Sequence, residues 1–89
     1  MFKNILLEKD LPELKKGQEY KIYDADDPDY EPNIGYGIYI GKGKGRLSPN
    51  KGKDVYIFKA TKNKDEYING KINAGVDLVK SGRIIIEEI

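Results

Sequence analysis

The chain has 89 residues, 35% charged and 38% hydrophobic, with no cysteine, no histidine and a net charge of +1. That length makes one domain, 1–89, with a small core. The missing residue types exclude disulfides, thiolate chemistry, a Ser-His-Asp triad, a Cys-His pair and the usual zinc sites. No apolar run approaches the ~20 residues of a membrane helix and no cleavage-type leader is seen, so a cytoplasmic protein without membrane contact is expected.

In chain order, Phe2 to Leu7 reads as a strand. "DLPELKKG" (10–17) reads as a helical turn, with Asp10 as cap, Pro12 in the first turn and Gly17 at the exit. "QEYKIYD" (18–24) alternates polar and apolar residues, the pattern of a strand. "ADDPDYEPN" (25–33) is a turn-rich loop. "IGYGIYIG" (34–41) is a strand placing Ile34, Tyr36, Ile38 and Ile40 on one face, and Gly35, Gly37, Gly41 and Tyr39 on the other. "KGKGRLSPNKGK" (42–53) reads as a long Gly-Lys loop. "DVYIFKA" (54–60) is apolar on both faces, as a central strand is. At 65–81 two patterns compete. Asn69-Gly70 is a hairpin signal, whereas Ile68, Ile72, Val76 and Val79 have helical spacing ending near Gly82. Strands are favoured there because Gly70 and Gly75 each cost a helix about 0.8–1 kcal/mol relative to alanine. "GRIIIEEI" (82–89) is a last strand.

The expected fold is mostly β: a small barrel or sandwich of five to seven short antiparallel strands with a short N-terminal helical turn. The alternative is α+β, with a helix near 65–81. Edge strands in so short a chain would also allow a homodimer.

Charge is unevenly distributed. Residues 8–31 hold nine acids and four lysines, a net of −5; residues 42–64 hold eight bases and one acid, a net of +7. Such a field steers charged partners. In the basic segment, Lys42, Lys44 and Arg46 alternate with Gly41, Gly43 and Gly45, and Lys51 and Lys53 follow. Glycine lets backbone amides converge on an anion while the cations supply charge, so the loop reads as a phosphate cradle or a solvated hairpin end. Neither the P-loop nor the dinucleotide fingerprint is present. Seven of nine aromatics are tyrosine. Tyr20, Tyr56 and Tyr36 fit inward positions; Tyr30 and Tyr39 read as exposed, with Tyr39 placed to stack on a base beside the basic loop. In the acidic loop, Asp24, Asp26, Asp27, Asp29 and Glu31 lack the calcium-loop order, and no metal site or cofactor is expected. With Tyr30, they read as a face for a basic protein.

"YGIYIGKGKGR" (36–46), with "YKIYDADDP" (20–28) upstream, resembles the GIY-YIG nuclease signature over about a quarter of the chain. The resemblance implies water-positioning roles for Tyr23 and Tyr39, charge stabilisation by Arg46, and a metal-binding glutamate for which Glu66 is the candidate. The family follows its second motif strand with a helix carrying the arginine; here Gly45, Pro49 and Gly52 stand against one.

Three functions follow. The first is a non-enzymatic binding module. Its basic loop (Tyr39, Lys42, Lys44, Arg46, Lys51, Lys53) contacts nucleic acid, a nucleotide or an acidic protein surface. The second is an inhibitor or adaptor of phage type, engaging a basic enzyme surface through Asp24, Asp26, Asp27, Asp29, Tyr30 and Glu31. The third is a minimal nuclease of the GIY-YIG kind.

Overall fold

A computed structural model describes residues 13–46 and 50–89. The expected strand at Phe2 to Leu7 and the first part of the expected turn at 10–17 lie outside the described residues; Lys16 and Gly17 form a turn.

Five antiparallel strands make one sheet: β1 (Glu19–Asp24), β2 (Gly35–Lys44), β3 (Asp54–Ala60), β4 (Lys71–Gly75) and β5 (Ile84–Glu88), in the order β4-β3-β2-β1-β5. Four consecutive strands form a meander. The chain then crosses to the far edge through the short helix α1 (Val76–Lys80), which packs against β3, β4 and β5. Five residues can touch both edge strands only if the sheet curls, as right-handed strand twist favours. The fold is mostly β, as expected.

Period-two alternation builds the core. Tyr20 and Ile22 of β1, Tyr39 of β2, Tyr56, Phe58 and Ala60 of β3, and Ile72 and Ala74 of β4 are buried on one face. Phe58 is fully buried at the centre, with Tyr20 edge-on at 6.0 Å and Tyr39 tilted at 5.4 Å. Leu14 packs beneath them, and the Lys15 backbone N–H donates to the Tyr20 hydroxyl at 2.8 Å. Val55 is also fully buried, so β3 is covered on both faces, matching its apolar sequence.

Tyrosine placement departs from expectation twice. Tyr39 is 8% exposed and belongs to the core, and Tyr36 is half-buried on the opposite face. Both follow from glycine in β2. Gly35 and Gly37 occupy core-facing positions where neighbouring strands come close, and Tyr39 continues that face. A β-carbon on Gly37 would lie 2.8 Å from Phe58 Cβ and 2.9 Å from the Lys59 carbonyl oxygen.

The segment 65–81 is neither of the two alternatives in pure form. Asn69 and Gly70 both take left-handed backbone, but within a one-turn 3-10 helix (Ile68–Gly70) that leads into β4 rather than at a hairpin tip. Helix follows only at Val76–Lys80, ending before Gly82, whose φ is +82°. The helical spacing spanned a strand–helix junction: Ile72 faces the core from β4, while Val76 and Val79 reach it from α1.

Candidate anion-binding end

The two charged loops are the two hairpin connections of β2. The β1–β2 connection holds Asp24 to Glu31, and the β2–β3 connection holds Arg46 to Lys53. The ten residues of β2 reach roughly 33 Å, so the loops sit at opposite ends of the domain. The charge of these two loops is thus separated in space, while Lys59, Lys62 and Lys64 of the basic segment follow β3 back toward the other end.

At the basic end, β2 runs on to Lys44, so the connecting loop begins at Gly45 rather than at Lys42 as expected. A bulge between Tyr39 and Gly41 shifts the register. Gly41 takes φ +131°, a conformation that favours glycine. The extra residue leaves Ile40 exposed and reverses the alternation beyond it. Lys42 therefore pairs with Tyr56 and Lys44 with Asp54. The Lys42 ammonium lies 5.7 Å from the Tyr56 ring centroid. Lys44 Nζ is 2.6 Å from Asp54 Oδ1, and this contact holds the Asp54 carboxyl below its ordinary range, with Lys42 adding to the effect. Arg46, Lys51 and Lys53 are exposed.

Three described loop amides are engaged within the loop itself. The Gly45 N–H donates to the Lys53 carbonyl at 2.9 Å, the Gly52 N–H to the Gly45 carbonyl at 2.9 Å, and the Lys53 N–H to the Asn50 carbonyl at 2.9 Å. A β-carbon on Gly45 would collide with the Asn50 carbonyl, so this glycine lets the loop fold back on itself. Asn50 in turn reaches the place a side chain on Gly75 would take. Positive charge at this end resides in side chains.

One cation was missed by sequence reasoning. The Gly17 N–H donates to the Tyr39 carbonyl and the Tyr39 N–H to the Gln18 carbonyl, each at 3.0 Å, which lays the Lys16 turn beside the bulge. Lys16 Cε lies 3.4 Å from the place of a β-carbon on Gly41. The sequence signal was the pair Lys15-Lys16 before Gly17, but it lay within the acidic segment. The structure thus gathers Lys16, Lys42, Lys44, Arg46, Lys51 and Lys53 at one end. Tyr39, at the middle of β2, is buried, so its ring is not a surface for stacking.

At the other end the acids are spread out. Asp24 Oδ1 accepts the Asp26 N–H at 2.8 Å, Asp26 Oδ2 lies 3.9 Å from Arg83 Nε, and the Tyr36 hydroxyl is 3.5 Å from Glu31 Oε2. Among the described residues no group of three or more acids is placed to hold a metal ion. Asp27 and Asp29 are exposed, and Tyr30 projects among them, 56% exposed. Lys62 also sits here, its ammonium 4.3 Å from the Tyr36 ring centroid.

The residues that the GIY-YIG resemblance singles out are not brought together. Tyr23 is near the acidic end of β1, where desolvation first, and then the neighbouring Glu87 carboxylate, push its phenol up. Arg46 follows the far end of β2, and Tyr39 is in the core between them. The motif strand runs into a hairpin to β3, not a helix. An open groove of about 390 Å³ lies on the outer face, between Glu19, Lys21, Tyr36, Lys62, Glu87 and Ile89, and its charges are mixed.

No protein family, curated protein or solved structure matches the chain. Among the described residues no helix is long and apolar enough to cross a membrane.

Proposed function

We propose that the chain is a non-enzymatic binding module whose basic end docks onto a polyanion. The observation that carries this reading is the separation of charge onto the two ends of β2. It leaves Lys16, Lys42, Arg46, Lys51 and Lys53 exposed together, with Asp54 the acid that the β2–β3 pairing brings among them. Exposed lysines on a rigid hairpin attract anions over about a Debye length, some 10 Å at 0.1 M salt. The engaged loop amides argue against a compact phosphate pocket and for a ligand whose charge is itself extended.

The test is fluorescence anisotropy with a labelled polyanionic oligonucleotide across a salt series. Each phosphate neutralised on duplex DNA contributes a slope of about −0.9 in log K against log salt. Replacing Lys42 and Arg46 by alanine removes two contacts and weakens binding about sixtyfold at 0.1 M salt. Binding by the double variant as tight as by the parent protein would defeat the proposal.

A second reading rests on Tyr30, an exposed ring among Asp26, Asp27 and Asp29. Aromatic residues are enriched at protein interfaces, and the surrounding carboxylates complement a basic protein surface. In that case Asp27→Ala with Asp29→Ala abolishes capture of the partner, and the lysine variants do not.

A further inference from the structure

We infer that the polyanion is double-stranded nucleic acid, held by its phosphate backbone rather than by its bases. This inference rests on the polyanion reading above and deepens it.

Three features of the basic end carry it. The first concerns rings. Recognition of single strands uses exposed aromatic side chains on which unstacked bases lie. The tyrosines nearest this end are Tyr56, paired with Lys42, and Tyr39 at the middle of β2, 4% and 8% exposed and edge-on to each other at 6.1 Å. The exposed tyrosine, Tyr30, is at the acidic end. Nothing aromatic at the described basic surface is available to a base.

The second concerns amides. A nucleotide or free phosphate is gripped by converging backbone N–H groups, and those of Gly45, Gly52 and Lys53 are bonded to carbonyls of their own loop. Four of the five exposed cations outside the Lys44–Asp54 pair are lysines, whose ammonium groups are point charges suited to phosphate oxygens, and Arg46 is the one planar guanidinium.

The third concerns charge density. The cations are spread over β2, the turn at Lys16 and the connecting loop. Such a surface gains most from a ligand with high linear charge density. Duplex DNA carries one charge per about 1.7 Å of axis, and its condensed counterions are released on neutralisation. The release is weaker from a single strand, about 0.7 per contact against about 0.9 for the duplex. For five free cations the difference is about one logarithmic unit at 0.1 M salt, so a duplex is favoured about tenfold over either of its strands. Without base contacts, this preference is independent of sequence.

The experiment measures anisotropy of a labelled 20-base-pair DNA duplex, each of its strands alone, and the duplex in competition with poly-glutamate, all at 0.1 M salt. The full chain is used with its K42A/R46A variant. The inference expects about tenfold tighter binding to the duplex than to either strand, similar affinity for a second duplex of unrelated sequence, weak competition by poly-glutamate, and a duplex preference reduced to about fourfold in the variant. A single strand bound as tightly as the duplex, or poly-glutamate competing as well as unlabelled duplex, overturns the inference and leaves the polyanion reading standing. Absence of binding to all of these probes at low salt overturns both.

Discussion

Gly37 and Gly43 lie on the same strand, six residues apart, yet alanine is costly at the first and nearly neutral at the second. At Gly37 the added β-carbon meets Phe58 Cβ at 2.8 Å and the Lys59 carbonyl oxygen at 2.9 Å. Those atoms belong to the β3 backbone or are fixed directly to it, and β3 is buried on both faces. They move only if β2 and β3 part. Overpacking of this kind costs about 1–3 kcal/mol. The lower chain entropy of alanine returns about 0.5–1 kcal/mol. The net loss is about 1–2 kcal/mol. At this chain length each kcal/mol moves the melting temperature by about 4–8 °C, so Gly37→Ala lowers Tm by about 5–15 °C. At Gly43 the obstacle is Ile57 Cδ1 at 2.7 Å, the far end of a flexible, half-buried side chain that can change rotamer. There the entropy gain and the repacking cost offset each other, and Tm stays within about 4 °C of the parent. Thermal unfolding followed by far-ultraviolet circular dichroism, with a urea series to check for unchanged m-value, reads both. A Gly37→Ala protein as stable as the parent, or a Gly43→Ala protein that falls as far, would refute the close strand approach on which the position of Tyr39 depends.

Further expectations follow from the same geometry. Asp54→Asn frees Lys44 and removes the acid paired to it, so duplex binding tightens about eightfold at 0.1 M salt and the salt slope steepens by about 0.9; titration at three salt concentrations checks both, and an unchanged slope contradicts them. Burial raises the phenols of Tyr39 and Tyr67 above their ordinary value of 10.0. The folded state therefore holds these protons more tightly than the unfolded chain; the stabilisation is complete below pH 10 and lost as pH rises through the folded-state values. Tyr39→Phe should flatten that alkaline decline, read as Tm against pH from 9 to 12, and an identical decline in the variant would count against the burial of Tyr39. Asp27→Ala with Asp29→Ala leaves DNA binding within about twofold at 0.1 M salt or slightly strengthens it, since both lie more than a Debye length from the basic end.

Much of the sheet was legible because its strands obey simple patterns. β3 announced its central place by apolar residues on both faces, and β1 and β5 by short alternating or β-branched runs. The charge segregation was legible for the two loops that flank β2, but not the return of Lys59, Lys62 and Lys64 along β3 toward the acidic end. The bulge was not legible. One extra residue at Ile40 reverses which face Lys42 and Lys44 occupy, and nothing in "YIGKGK" fixes whether the alternation continues or breaks. Tyr39 was misplaced for a related reason: its place beside the Gly-Lys segment suggested an exposed ring, whereas the glycines before it make room for neighbouring strands over the core. Asn69-Gly70 has the backbone that its sequence asks for, but that backbone serves a 3-10 turn as well as a hairpin tip. Lys16 joined the site only through pairing of Gly17 and Gln18 with Tyr39, a contact distant in sequence.

The most direct test of the account compares two double variants with the same change in net charge. K42A/R46A removes two cations from the basic end; K62A/K64A removes two from the β3–β4 connection at the opposite end. Anisotropy with one 20-base-pair duplex at 0.1 M salt should show about a sixtyfold loss for the first pair and less than about threefold for the second. Equal losses would mean that the protein binds through its overall charge, and that the basic end is not a site.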